Sequence, residues 1–155
     1  MWWRLTHKQF EQQKGEANRL AMKEIVASGQ IPGILAFENG QAIGWCAVAP
    51  RDEFPRLKGS RILKPVDDSP VWSVVCLFVE KNYRRKGVST ALLKAAIEHV
   101  KNHGARIVEG YAVEPKKGKM PDAFVFHGLY SAYLKAGFFE IARRSETRPI
   151  MRYVI

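Results

Sequence analysis

The chain has 155 residues, of which 46% are hydrophobic and 11% aromatic, and its formal net charge is +10. A chain of this length and composition is expected to fold as one domain with a sizeable core, which argues against intrinsic disorder. No run of about 18 apolar residues is present, so we expect no membrane span. The positive charge suits an anionic ligand, a nucleic acid or an acidic surface, and does not choose among them.

The beginning of the chain and its cysteines favour a cytoplasmic protein. The first residues lack the long apolar segment of a signal peptide. Cys46 and Cys76 stand alone, without the spacing of a metal site, and are interpreted as reduced thiols. The sequence leaves both a monomer and a homodimer open.

The N-terminal third combines helix and hairpin signals. Residues 2–5 are long enough for only a short first strand. Apolar spacing predicts a helical region over residues 6–28, which Gly15 divides in two. Asn39-Gly40 stands between two apolar runs and predicts a β-hairpin. Gly44 within the second run indicates a bulge or a close approach of another backbone.

The middle of the chain has a strand–turn–helix–strand pattern behind a long loop. Residues 49–71 show no clear period, and we expect an ordered loop on the substrate side. Residues 72–79 are almost continuously apolar, which predicts a strand covered on both faces. The apolar spacing after Gly87 predicts an amphipathic helix that ends at Gly104. Residues 106–113 form the next strand, parallel to the first if the helix is a right-handed crossover.

The C-terminal third is predicted as a loop, a helix and a hairpin. The polar loop covers residues 114–122, and the helix covers residues 126–135 before Gly137. Residues 138–143 and 148–154 form the closing hairpin. Because no repeat, low-complexity tract or linker is present, the sequence predicts a single domain over the whole chain.

The junction between the apolar strand and the amphipathic helix is a basic turn that contains a glycine. A helix N-terminus offers unpaired N–H groups and a partial positive charge. Gly87 allows a phosphate to approach without a Cβ in the way, and three cationic side chains precede it. Neither a Walker order nor GxGxxG is present. The turn alone therefore fits either phosphate binding or a solvated surface.

Two motifs make the assignment more specific. Leu77-Phe-Val79, with Arg84-Arg-Lys-Gly-Val-Ser89 beginning five residues after Val79, resembles the Leu-x-Val…[Gln/Arg]-x-x-Gly-x-[Gly/Ala] signature of GNAT N-acetyltransferases. Tyr133-Leu-Lys-Ala-Gly-Phe138 is similar to the Tyr-x-x-x-Gly-Phe element of the same superfamily. The order of elements matches over about residues 34–154. The chain departs from the signature at Ser89, where the family has glycine or alanine.

The resemblance implies an α/β (α+β) fold with a mixed, mostly antiparallel central sheet, a splayed parallel strand pair and helices on both faces. It implies direct transfer of an acetyl group from acetyl-CoA, as cosubstrate, to a small-molecule or protein amine, without a metal. The residues implied for the pantetheine arm and acetyl carbonyl are Leu77, Phe78 and Val79. Those implied for the pyrophosphate are Arg85, Lys86, Gly87, Val88 and Ser89, with the positive charge of Arg84 beside them.

The same resemblance places Tyr133 near the CoA sulfur as the acid for the departing thiolate, a role that a phenol in a dry site can perform. The alternative is a packing tyrosine. The acceptor amine must lose a proton, which calls for a base. In the histone-acetylating branch a glutamate occupies the position of Ser73, where this chain has no carboxylate. Glu109 on the next strand is therefore the first candidate base, and behind it stand residues that also fit surface or ion-pair roles: Glu114, Asp67, Asp68 and Asp122.

Four further features leave alternatives open. His99 and His103 lie one helical turn apart and could share a metal, but no third ligand is near in sequence and we expect no metal site. His127 is a candidate substrate contact or a structural residue. The net charge also suggests a basic nucleic-acid-binding module, although the basic residues are scattered. Ser73 suggests a GNAT-fold CoA binder that has lost catalysis.

Overall fold

The computed structural model of the protein describes residues 1–116 and 125–155. The helices are α1 (His7–Gln12), α2 (Glu16–Ala27), α3 (Pro55–Lys58), α4 (Val88–Asn102) and α5 (Tyr130–Lys135), with 3-10 turns at Arg51–Glu53 and Lys81–Tyr83. The strands are β1 (Gly33–Glu38), β2 (Gln41–Pro50), β3 (Trp72–Val79), β4 (Ile107–Tyr111), β5 (Phe139–Arg143) and β6 (Pro149–Val154). No helix in these two ranges is long and apolar enough to cross a membrane.

The six strands form one sheet in the order β1-β2-β3-β4-β6-β5. Strands β3 and β4 pair in parallel, as a right-handed crossover through α4 predicts, and the other neighbouring pairs are antiparallel. The predicted mixed, mostly antiparallel sheet with one parallel pair is therefore confirmed. The hairpin at Asn39-Gly40 is also confirmed, with both residues at positive φ.

The two faces of the sheet carry separate apolar clusters. The face we call the helix face packs against α4 and α5, and its cluster includes Val74, Leu93, Ala96, Val108, Tyr133 and Met151. The face we call the loop face packs against α3 and the residues around it, and its cluster includes Phe54, Leu57, Leu63, Val75, Tyr111 and Ile150. Helices thus flank both faces. Because successive strand residues point to opposite faces, neighbours on β4 serve different clusters.

The parallel strands part after three register pairs. Trp72, Ser73 and Val74 pair with Val108, Glu109 and Gly110, whereas β3 continues to Val79. Residues 126–129 enter the resulting gap: the Leu77 amide donates to the Phe126 carbonyl at 2.7 Å, and the Val113 amide donates to the Gly128 carbonyl at 2.9 Å. The gap is therefore closed partly by the protein's own chain.

Two local predictions were wrong. Residues 2–5 form a turn rather than a strand, because the Arg4 amide donates to the Met1 carbonyl and Arg56 Nε donates to the Leu5 carbonyl. These bonds satisfy the backbone locally and leave no ladder for a sheet. The helix predicted from residue 126 begins only at Tyr130, since the preceding residues bond to β3 and to Val113.

Candidate functional site

A cleft of about 500 Å³ lies between the free end of β3, the basic turn, the start of α4 and the segment that runs into α5. Its lining includes all but one of the residues predicted to bind the cofactor: Leu77, Phe78, Val79, Arg84, Arg85, Gly87, Val88 and Ser89. The exception is Lys86, whose ammonium lies 5.2 Å from the centre of the Tyr83 ring. The structure thus brings the two parts of the first motif together around one opening.

The backbone of the basic turn is shaped for close contact. Gly87, the N-cap of α4, has a φ of 83°, and Arg85 adopts a φ of 62°, which is uncommon for a residue with a side chain. A Cβ placed on Gly87 would meet nothing within 4 Å, so the space before it is open. The amides of Val88 and Ser89 belong to the first turn of α4 and have no acceptor within the helix. The turn therefore offers backbone donors and positive charge to an anion.

The free end of β3 presents its backbone to the same cleft. The Val79 carbonyl accepts a hydrogen bond from Arg84 Nε at 3.1 Å, which ties the turn to the strand. The Leu77 amide is already bonded to the Phe126 carbonyl. Since alternate residues of a strand point their N–H groups to the same side, the Val79 N–H faces the cleft as well. Of these two amides, that of Val79 is the one left facing the cleft.

Tyr133 is fully buried on the helix face, where the parallel strands part. Its hydroxyl donates to the His127 carbonyl at 2.9 Å. Its ring lies against Gly110, because a Cβ at that glycine would be 2.1 Å from Tyr133 Cε1. Burial raises the pKa of Tyr133 well above its ordinary value, so the hydroxyl keeps its proton. A neutral phenol next to the gap is chemically a proton donor.

Glu109 lies on the loop face and is 1% exposed. Its Oε1 accepts hydrogen bonds from Arg152 Nε at 3.0 Å and Nη2 at 2.6 Å, while Oε2 lies 4.0 Å from Arg51 Nη1. Arg152 also donates to Asp67 at 2.6 Å and holds the pKa of that carboxyl well below its usual range. A cavity of about 230 Å³ opens onto this network. Glu109 is thus a buried carboxylate whose Oε1 accepts both hydrogen bonds from Arg152, whereas its Oε2 accepts neither.

Ser73 and Glu109 are register partners on β3 and β4, so the position that lacks a carboxylate has one beside it. Ser73 Oγ and the Tyr111 hydroxyl are 2.8 Å apart, and Arg51 donates to the same hydroxyl. Burial raises the pKa of Tyr111 above its ordinary value. These side chains form a continuous polar network on the loop face, across the sheet from Tyr133.

The other candidate bases are placed less centrally. Glu114 pairs with Arg143 at 2.6 Å, and Asp68 is exposed at the rim of the smaller cavity. Asp122 lies outside the described residues, as does most of the predicted polar loop. Glu109 is the most enclosed of the described candidates.

The histidines fall into two settings. The rings of His99 and His103 are 4.3 Å apart and pack against Trp72. The described residues contain no group of three or more side chains arranged to hold a metal ion. His127 is 4% exposed, and burial, followed by the charge of Arg148, lowers its pKa to about 3. It is therefore a neutral residue beside Tyr133.

Sequence reasoning missed the arginines of the loop face and the closing segment at residues 126–129. Arg152 did leave a signal, because it is a lone charge in the otherwise apolar strand β6. A charged residue buried in a strand normally has a partner, and here the partners are Glu109 and Asp67. The Phe126 carbonyl left no such signal.

With this geometry in place, the family is clear: the chain belongs to the acetyltransferase (GNAT) family, whose sequence profile matches residues 1–117. The chain is similar in fold to the PaiA N-acetyltransferase from Thermoplasma acidophilum in complex with coenzyme A (TM-score 0.56, 15% identity, 97% of this chain and 80% of that one). It is also similar to yncA from Salmonella typhimurium, a candidate acetyltransferase with its cofactor acetyl-CoA (0.57, 17%, 88% and 72%). A third similar structure is the ribosomal-protein-alanine N-acetyltransferase from Brucella melitensis (0.57, 16%, 90% and 78%). No curated protein sequence matches the chain.

Proposed function

We propose that the protein transfers an acetyl group directly from acetyl-CoA to an amine. The observation that carries the proposal is the open cleft formed by the parted end of β3 and the turn capped by Gly87. Family membership supports the reaction type, and the bound coenzyme A and acetyl-CoA of two structural neighbours support the cosubstrate. The small-molecule or protein identity of the amine stays open.

The cleft has the groups that acetyl-CoA needs. The amides of residues 85–89 would hold the pyrophosphate, with Arg84 and Arg85 adding positive charge. The Val79 N–H would bind the pantetheine arm, and the exposed ring of Phe78 would pack along it. Acetyl-CoA fits the cleft because the amides of Val88 and Ser89 have no acceptor within α4 and because the space before Gly87 is open. When bound, acetyl-CoA supplies an activated acetyl group as a thioester.

Tyr133 would act as the acid. Its pKa is raised by burial, so its proton is retained until a basic group forms beside it. The hydroxyl donates to the His127 carbonyl, and Tyr133 is fully buried and is not among the described residues that line the cleft. To serve the departing sulfur, the hydroxyl would exchange this hydrogen bond for one to the sulfur. Its position on the helix face fits a thiolate that leaves toward the cleft.

Glu109 would accept the proton of the amine, directly or through a water molecule. Both Arg152 hydrogen bonds end on Oε1, which leaves Oε2 toward the smaller cavity and Arg51. Because Glu109 and Gly110 are consecutive, the base faces one side of the sheet and Tyr133 packs on the other. The amine, arriving from the loop face, would give a proton to Glu109 and attack the carbonyl carbon of the acetyl thioester at the gap. As the new C–N bond forms, the C–S bond would break, and the departing thiolate would take the proton of Tyr133 on the helix face. This layout supports direct transfer without a covalent enzyme intermediate.

A second candidate function is CoA binding without catalysis. It is favoured by serine at position 73 and by the ion pair that engages Glu109. Nucleic-acid binding has weaker support, since many of the arginines are engaged by carboxylates, among them Arg4, Arg19, Arg51, Arg143 and Arg152. The cytoplasmic location and the homodimer remain predictions.

Calorimetry with coenzyme A and acetyl-CoA tests the proposal. We expect saturable binding by the wild type and its loss in Gly87→Glu, since the new side chain would enter the pyrophosphate position with its negative charge. Gly15→Glu is the matched control, because Gly15 is also a helix N-cap, has a φ of 80°, meets nothing within 4 Å of an added Cβ and does not line the cleft. A screen of amines by thiol release then separates the enzyme from the inactive CoA binder. Absence of any binding to the wild type would contradict both candidates.

A further inference from the structure

The smaller cavity lies on the loop face and carries more negative than positive charge. Its lining includes five charged side chains, three carboxylates and two guanidiniums: Asp67, Asp68, Glu109, Arg51 and Arg152. Arg152 lies between Glu109 and Asp67 and donates hydrogen bonds to both. Arg51 directs its terminal nitrogens to the Tyr111 hydroxyl and to a backbone carbonyl. Both guanidiniums are therefore engaged by the protein itself, and one carboxylate is left over.

Two of the carboxylates have room for a further hydrogen-bond donor. Glu109 is 1% exposed, and its Oε2 lies 4.0 Å from Arg51 Nη1, which is beyond hydrogen-bond distance. No residue in the described part of the chain donates a hydrogen bond to that oxygen. Asp68 is exposed at the rim and has no hydrogen bond or ion pair with any of residues 1–116 and 125–155. The cavity thus has a free acceptor at its buried end and another at its open end.

The rest of the lining is mainly apolar. It consists of Pro65, Val66 and Val71 together with Ser69. Val71 is buried and Val66 is half-buried, so both offer methyl groups to a ligand. The volume of about 230 Å³ is below the roughly 300–1,000 Å³ of sites for drug-sized molecules, which suits a short chain. A ligand that matches this lining has a hydrogen-bond donor at each end and carbon atoms in the middle.

Other kinds of amine match the cavity less well. An α-amino acid would bring a carboxylate next to Glu109, where like charges repel, and the guanidiniums that could compensate it are already engaged. A simple monoamine would satisfy Glu109 and leave Asp68 without a partner. An ammonium group has three donors and no acceptor, so it complements a carboxylate at either end.

We propose that the acceptor is an alkyl diamine or polyamine, whose reactive amine binds at Glu109 and whose second ammonium group binds Asp68. The inference rests on the proposed function and narrows its substrate class. The first nitrogen gives its proton to Glu109 and attacks the thioester, whereas the second keeps its proton and forms no covalent bond. Asp68 therefore recognises the acceptor and takes no part in the proton transfer.

The test compares diaminobutane with butylamine, which share a carbon chain and differ in the second nitrogen. Rates are expressed per unprotonated amine and divided by the number of equivalent amines. We expect the wild type to prefer the diamine, with a maximum at one chain length in a series of α,ω-diaminoalkanes. Asp68→Asn should raise KM for diaminobutane relative to that for butylamine by about two- to tenfold, the range of a charged contact that is partly exposed to water. Asp68→Glu should retain the preference.

Asp52→Asn is the matched control, because Asp52 is also exposed and does not line the cavity, and its loss changes the net charge equally. Ionic strength supplies a second readout: added salt should lower the wild-type preference by screening and leave that of Asp68→Asn nearly constant. Equal changes in the two variants would show a general effect of net charge and overturn the proposal. So would equal use of diaminobutane and butylamine by the wild type, a preference for α-amino acids, or a diamine preference that Asp68→Asn leaves intact.

Failure of the proposed function has a different signature. If no amine releases CoA thiol, calorimetric titration of diaminobutane and butylamine into the CoA-loaded protein decides the diamine site by itself. Binding of diaminobutane that Asp68→Asn weakens and Asp52→Asn does not would support the site in an inactive CoA binder. Absence of diaminobutane binding, or equal binding by wild type and Asp68→Asn, would overturn it.

Discussion

Gly110 separates the two candidate catalytic side chains. It lies between Glu109 and Tyr111, which face the loop side, and its missing side chain leaves room for Tyr133 on the helix side. Gly110→Ala would place a Cβ 2.1 Å from a fully buried aromatic ring that is held by its hydrogen bond to His127. We expect a loss of about 1–3 kcal/mol in the free energy of unfolding, as for other overpacked cores. Urea denaturation measures it, with Gly59→Ala as the unhindered control.

The hydroxyl of Tyr133 is a separate prediction at the same scale. Tyr133→Phe keeps the ring and removes the proposed acid, so kcat should fall by about 100-fold or more while the affinity for CoA is unchanged. The His127 carbonyl loses its donor, which should cost about 1 kcal/mol of stability. Steady-state kinetics and calorimetry separate the two effects. Unchanged kcat would show that the hydroxyl is only a structural hydrogen-bond donor.

At the scale of elements, α4 crosses β2 at Gly44. A Cβ there would lie 3.0 Å from Leu92 Cδ1 and 3.2 Å from Val88 Cγ1. The register shift opposite Ala36 and Phe37 gives the predicted bulge. The helix approaches Gly44 with side chains rather than backbone, and the nearest backbone atom is the Phe78 carbonyl oxygen at 3.2 Å from the added Cβ. The contact sets the distance between the helix N-terminus and the sheet.

Gly44→Val tests this contact. The added methyl groups should push the first turn of α4 outward, lower the free energy of unfolding by about 1–3 kcal/mol and weaken CoA binding, because Val88 and Ser89 belong to the displaced turn. Calorimetry measures the affinity for CoA, and urea denaturation measures the free energy of unfolding. Normal CoA affinity in a destabilised variant would mean that the turn keeps its geometry independently of the helix.

The elements that the sequence predicted well are those with local signals. The β3–turn–α4 unit and the Asn39-Gly40 hairpin each carry their pattern within a few residues. The sequence predicts residues 126–129 as the start of a helix that Gly137 closes. Their actual conformation depends on the Leu77 and Val113 amides, which come from distant parts of the chain. Local propensity cannot anticipate such partners.

The same reason limits what could be predicted of the site at the scale of the whole molecule. The cofactor turn is one continuous motif, so its residues can be predicted from the sequence. The network around Glu109 joins β4 to Arg152 on β6, 43 residues later, and to Asp67 in the long loop. Only folding brings these charges together. The same holds for Arg148 and His127, whose proximity no spacing rule indicates.

His127 makes the stability of the whole protein depend on pH. Burial, with the charge of Arg148, lowers its pKa from 6.5 to about 3 in the folded state. Between these values the unfolded chain binds a proton that the folded protein does not, so the free energy of unfolding rises with pH and falls on acidification. A single site of this kind contributes up to about 1.4 kcal/mol per pH unit below its unfolded pKa.

His127→Phe should remove this contribution and reduce the slope of the stability profile between about pH 5 and pH 6.5, where carboxylates contribute little. His99, whose pKa is also lowered by burial, accounts for part of the slope that remains. Asp67, whose pKa is lowered chiefly by its hydrogen bond from Arg152, adds a further loss only below its ordinary value of 3.8. His7→Phe, at an exposed position, controls for the loss of a histidine as such. Urea denaturation at a series of pH values measures the slope. Equal slopes in wild type and His127→Phe would mean that folding does not lower the pKa of His127.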